Sequence, residues 1–178
     1  MDSCALSNQD PLLVALEGWI LDSGQSVAIV AGDEVAMGLE LQIVDVAEGA
    51  ARASASPGLR HVGDNVYDVV ARARSTNPQS TVLEFGMPAY VRTETAERWF
   101  GPIVPGGVHA LRVALCADPY VGRSRPRWLA DDLVRSWRVA EIVRIDRFGA
   151  RATTTTTAPA EATTSYLLTL EPAAATES

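Results

Sequence analysis

Lysine is missing from this chain: all fifteen basic side chains are arginine, and none precedes position 52. That absence excludes several chemistries. A phosphate-binding loop needs a lysine on the phosphates, a Schiff-base enzyme needs an amine, and a kinase-like site needs its strand lysine. Histidine and cysteine are nearly as scarce. His61 and His109 are the only histidines, and Cys4 and Cys116 the only cysteines. No Cys-x-x-Cys, His-x-x-x-His or His-Glu-x-x-His spacing exists to hold zinc, and a site assembled in space from His61, His109 and Cys116 has no spacing to support it. Two thiols make no disulfide framework and fit a reducing compartment. There is no Gly-x-Ser-x-Gly elbow for serine catalysis. Long apolar runs are missing too. The longest, Leu12 to Leu21, is interrupted by Glu17 and Gly18 and is too short to span a bilayer. The opening Met1-Asp2-Ser3-Cys4 lacks the basic region of a signal peptide. The expectation is a cytoplasmic protein without membrane association, metal or cofactor.

What is present is a domain-sized chain of 178 residues, 47% apolar and 21% charged. That is one domain with enough apolar surface for a real core. Its net charge of −7 repels phosphate backbones, so nucleic acid is not the favoured partner. The charge is segregated along the chain. The first fifty residues carry nine acids and no arginine, whereas Gly122 to Arg151 carries eight arginines against four acids. The all-arginine, alanine- and valine-rich composition fits a GC-rich bacterial genome.

Short apolar runs punctuated by turn residues predict an all-β fold of seven or eight mostly antiparallel strands. The architecture expected is a small barrel, OB-like in one version, or a two-sheet sandwich, with one or two short helical turns. Residues 1–10 read as a flexible tail, 11–171 as one β-rich domain with a low-complexity loop at 151–164, and 172–178 as a disordered tail. The cleanest strand places Val35, Met37, Leu39, Leu41 and Ile43 on one face, against Ala36, Gly38, Glu40 and Gln42. Two more alternate as clearly: Tyr67, Val69, Ala71 and Ala73 in one, Leu111, Val113 and Leu115 in the other. Glu48 to Asp64 reads as a loop, and Thr93 to Phe100 as one or two helical turns closed by Gly101-Pro102. Arg135 to Phe148 has both helical and strand spacing. Its β-branched Val139, Ile142, Val143 and Ile145 favour a strand, with Trp137, Val139, Val143 and Ile145 inward and Glu141 exposed or bulged.

Two segments stand out as binding candidates. Arg123-Ser124-Arg125-Pro126-Arg127-Trp128 puts three arginines in five residues beside a tryptophan, with Pro126 holding the run extended. Such a segment grips phosphates, carboxylates or an acidic partner and stacks an aromatic group; the plainer account pairs its arginines with acids of the same domain. The second candidate is the outward face of the first strand, Glu17 and Trp19. If the strand bearing Glu40 pairs beside it, the result is an acidic face with an aromatic platform for a sugar, a cation or a partner arginine; the plainer account is a solvated sheet face. Asp33-Glu34 reads as a turn and Asp132 as a helix N-cap. Cys116 reads as a buried, inert thiol. It lies seven residues from His109 on one strand, on the opposite face and about 23 Å away, so the two make no nucleophile pair. The function expected is a non-catalytic interaction module of a bacterial cytoplasm that engages a protein partner. The alternatives are a small carboxylate-dependent hydrolase and a single-stranded nucleic-acid binder using Arg72, Arg74, Arg112 and Trp128.

Overall fold

Side chains that alternate between apolar and polar must put one face of each strand against another layer, and here the sheet meets that need by closing on itself. A computed structural model describes residues 10–17, 28–46, 56–123, 131–145, 151–158 and 164–173. Its strands are β1 (Leu12–Glu17), β2 (Ile29–Val30), β3 (Glu34–Val46), β4 (Gly58–Gly63), β5 (Val66–Thr76), β6 (Ser80–Glu84), β7 (Pro88–Arg92), β8 (Val108–Asp118), β9 (Arg135–Ile145), β10 (Arg151–Thr155), β11 (Thr157–Ala158) and β12 (Ser165–Pro172). Two short helices, α1 (Thr93–Phe100) and α2 (Pro119–Arg123), and a 3₁₀ turn at Asp131–Leu133 complete the described elements. The fold is all-β, as the alternation predicts.

Ten strands form one sheet, and β2 pairs with β11 in a small second one. The ladders β3–β9–β12–β1–β8–β5–β6–β7 return to β3, a closed ring of eight strands. Within it the long strands β3 and β8 also pair with each other, Gly38 opposite Asp118 through Val46 opposite Leu111. Each therefore changes neighbour along its outer edge. β8 leaves β5 after Ala114 and meets β1 at Cys116; β3 leaves β9 after Met37 and meets β7 at Glu40.

The inward side chains are those of the alternating pattern. Leu12, Val14 and Leu16 of β1, Met37, Leu39 and Leu41 of β3, Tyr67, Val69, Ala71 and Ala73 of β5, and Leu111, Val113 and Leu115 of β8 are all buried. Trp137, Tyr67, Tyr166 and Phe85 are the bulkiest fully buried side chains and fill the interior.

Three expectations need correction. Residues 58–63, inside the stretch read as a loop, form β4, because Leu59 is buried opposite Val69. The threonine-rich run pairs with β9 and β2 instead of looping out, since β-branched threonine suits an extended ladder. In β9 the ladder skips Ala140, between Val139 opposite Leu170 and Glu141 opposite Thr169. That bulge resets the phase, so Ile142 is buried after Trp137 and Val139, while Val143 and Ile145 are only half-buried.

Where a strand changes neighbours, ladder hydrogen bonds are missing and backbone groups need other partners. At the β5–β1 seam the Tyr67 hydroxyl accepts from the Leu13 N–H at 2.8 Å and donates to the Leu13 carbonyl at 3.1 Å. Asn65 does the same for β8: its side-chain amide donates to the Leu115 carbonyl at 3.0 Å and its own carbonyl accepts from the Leu115 N–H at 2.8 Å. Tyr67→Phe keeps the ring but orphans both groups of Leu13. It is expected to lower unfolding free energy by about 2 kcal/mol in urea titration, more than removal of an exposed hydroxyl costs.

The outer face of the same region carries a row of charges in register: Arg60 on β4, Asp68 on β5, Arg112 on β8 and Asp45 on β3. Asp68 accepts from Arg112 at 2.8 and 3.3 Å and from Arg60. The hydrogen bonds from Arg112, with Arg60 behind them, hold its carboxyl below the usual range against the opposing effect of burial. A lowered folded-state pKa stabilises the fold above the usual carboxylate range, and that contribution disappears as pH falls through the lowered value. Asp68→Asn is thus expected to lower the urea midpoint at pH 7, with the gap to the unmodified chain closing under acid.

Candidate binding face

Register across four strands aligns Ala15 of β1, Cys116 of β8, Glu40 of β3 and Tyr90 of β7 in one row. Their strand neighbours Leu39, Leu41, Leu115 and Ala117 point into the core, so this row faces outward. Glu17, two residues beyond Ala15, and Asp118, two beyond Cys116, extend the same face. Glu17 and Glu40 thus lie near the Cys116 thiol, with Asp118 by Tyr90 and Glu40 and with Arg92 alongside.

Each group is tied to the fold. Tyr90 donates its hydroxyl proton to Asp118 at 2.5 Å. The other Asp118 oxygen accepts from the backbone N–H groups of Tyr120 and Val121 at 3.0 and 3.2 Å, starting α2. Glu17 accepts from the Ser165 hydroxyl at 2.8 Å, and Arg92 lies 3.6 Å from Glu40. α2 and the 3₁₀ turn rest on the face through Val121 and Leu133, which cluster with Val82 and Tyr90. Gly38 makes that approach possible, since a Cβ there would stand 3.2 Å from Val121.

Burial in acidic company sets the protonation states. Desolvation raises the Glu40 pKa; Arg92 opposes the rise and Asp118 adds to it. Burial, then Glu40 and Glu17, pushes the Cys116 thiol up to about 12. Tyr90 is raised as well, first by burial and then by Asp118 and Glu40. The 6%-exposed Cys116 is a protonated, inert thiol, with His109 on the opposite face of the same strand beside Ala71. The face offers acceptors and negative charge, and these hold its one described thiol, Cys116, protonated.

Glu17 and Glu40 do share this face, though not as strand neighbours. β8 runs between β1 and β3, because β3 pairs with β8 from Gly38 to Val46. Trp19, Arg125, Arg127 and Trp128 lie outside the described residues, and Arg123 is the last residue of α2. Asp33 and Glu34 are exposed where β3 begins, away from Glu40. Asp132 does not cap a helix. It accepts from Arg74 of β5 (2.8 Å for one of the two bonds), which reaches the 3₁₀ turn where that turn packs on β7 and β3. Of the arginines weighed for nucleic acid, Arg74 is thereby engaged by Asp132 and Arg112 by Asp68. Among the described residues no group of three His, Cys, Asp or Glu side chains could hold a metal ion.

Tyr90, Asp118 and Arg92 were not legible as site residues. Asp118-Pro119 reads as a strand ending, and only the register of β7 against β3 brings Tyr90 to Glu40. Compared with protein families, curated proteins and solved structures, the chain matches none.

A raised folded-state pKa on an acid means that the folded protein binds more protons than the unfolded one above the usual carboxylate range, so ionised Glu40 weakens the fold there. Glu40→Gln is expected to raise the urea midpoint at pH 7, with the gap to the unmodified chain closing as pH falls well below the usual carboxylate range, where the side chain is protonated in both states.

Proposed function

We propose that this chain is a non-catalytic binding module that engages a basic protein partner through the acidic outer face around Glu40. The observation that carries the reading is the excess of negative charge on that face. Glu17 and Glu40 lie near a buried thiol and Asp118 lies near Glu40, and among the described residues Arg92 is the cation paired with Glu40. Glu40, half-buried and incompletely neutralised, gains most from a guanidinium or ammonium group arriving from outside. The arginine run from Arg123 to Arg127 with Trp128 adds a second, basic contact on the strength of its sequence. The elements on either side of residues 124–130 both rest on the acidic face.

A carboxylate-dependent hydrolase is the second reading. It draws support from the raised Glu40 pKa beside Asp118. Against it, Asp118 is committed to Tyr90 and to the start of α2, and Glu17 accepts from Ser165, so among the described residues both partner carboxylates of this face are engaged.

The test is capture of partners from native cytosol on the full chain at low salt, with protein and nucleic acid identified together. One stoichiometric protein is expected, released near 1 M salt, where the screening length falls to about 3 Å. It should bind roughly tenfold more weakly to a Glu17→Gln/Glu40→Gln chain. Equal binding by that variant and by an Arg123/Arg125/Arg127 triple-alanine chain sinks the proposal. Recovery of nucleic acid without protein sinks it equally.

A further inference from the structure

We propose that the outer face of β4–β5–β8–β3 is a self-complementary interface through which two copies of this chain pair about a two-fold axis. The row Arg60–Asp68–Arg112–Asp45 alternates in sign across four strands and spans about 15 Å at ordinary strand spacing. Its order is antisymmetric. A two-fold axis lying in the interface, parallel to the strands and passing over the point between Asp68 and Arg112, sets Arg60 against Asp45 of the second copy and Asp68 against its Arg112. Every position then meets the opposite charge. An order such as plus, minus, minus, plus would place like on like, so alternation is the pattern that suits a copy of itself. The intramolecular pairs do not exhaust these side chains, for Arg60 and Arg112 both hold Asp68 yet remain 55% and 42% exposed.

Apolar side chains flank the row, exposed on one side and largely buried on the other. On one side lie Val44 and Val62, 51% and 48% exposed, with half-buried Val66 and Ala114 between them. Val44 and Val62 each sit at a break in ladder register, opposite Arg112 and Val66, and the extra residue turns an apolar side chain outward. On the other side lie Val70 and Ala110. The rotation that reverses the charged row lays the first apolar strip over its own copy, Val62 against Val44 of the second chain and Val66 against its Ala114, so valine covers valine as arginine covers aspartate. Exposed valines on a flat sheet face are otherwise a liability. The acidic face around Glu40 is a different surface, and this inference does not rest on the function proposed for it.

Sedimentation velocity of the full chain over a concentration series tests the interface. A monomer–dimer equilibrium is expected at low salt, shifting to monomer as salt rises. Arg60→Asp and Asp45→Arg should each raise the dimer dissociation constant roughly tenfold or more. An equimolar mixture of these two chains should recover the dimer, because each presents the charge that the other has lost. Val62→Asp lies outside the ion pairs and should abolish the dimer with an unchanged thermal unfolding curve, which keeps the test decisive if a charge variant fails to fold. A monomer at every concentration up to about 1 mM overturns the proposal. So does a dimer that Val62→Asp leaves intact.

Discussion

Everything in this molecule hangs on how two long strands share more neighbours than a strand has edges. β3 and β8 pair with each other and still hold β9, β7, β5 and β1 along their outer edges, which closes the ring. Closure leaves seams, and a seam is costly because buried backbone groups there have lost their ladder partners. On the β8 side, side chains replace the ladder: the Tyr67 hydroxyl serves both backbone groups of Leu13, and Asn65 serves Leu115. On the β3 side, α2 and the 3₁₀ turn fill the gap over Gly38. The ring stays closed through these substitutes as much as through strand pairing, since β1 meets β8 and β7 meets β3 at single registered pairs.

The seams also shape the electrostatics. Where β3 parts from β9 and meets β7, Glu40 lies half-buried on the outer face beside Tyr90 and Cys116, and that burial desolvates its carboxyl. Farther along the same strand, where β4, β5, β8 and β3 lie flat, charges alternate in register and largely neutralise one another. One strand thus contributes to two different surfaces. The first keeps an uncompensated negative charge, suited to a cation; the second balances its charges internally and exposes valine, suited to a copy of itself.

The charge polarity of the sequence is partly dissolved by folding. β3 carries the acids Glu34, Glu40 and Asp45, and each finds an arginine on a different neighbour: Arg138 across the β9 ladder, Arg92 from β7, and Arg112 across the β8 ladder. The run from Arg123 to Arg127, whose arginines were expected to pair with acids of the same domain, has its side chains outside the described residues. Acids and arginines far apart in the chain can cancel because register, which depends on burying one face of each strand, brings them opposite.

Period-two alternation in β1, β3, β5 and β8 determined that these segments are strands and which side chains enter the core, because burial enforces that period locally. The turn at Pro105-Gly106-Gly107 and the helix over Thr93–Phe100 were local in the same sense. Only the tertiary structure decided that Ala140 bulges and turns Ile142 inward, that β8 separates Glu17 from Glu40, and that Asp118 and Tyr90 join the acidic face. Each of these is a matter of pairing between strands distant in sequence. An apolar pattern says which face of a strand is buried; it does not say which strand lies beside it, and site chemistry is set by the neighbour.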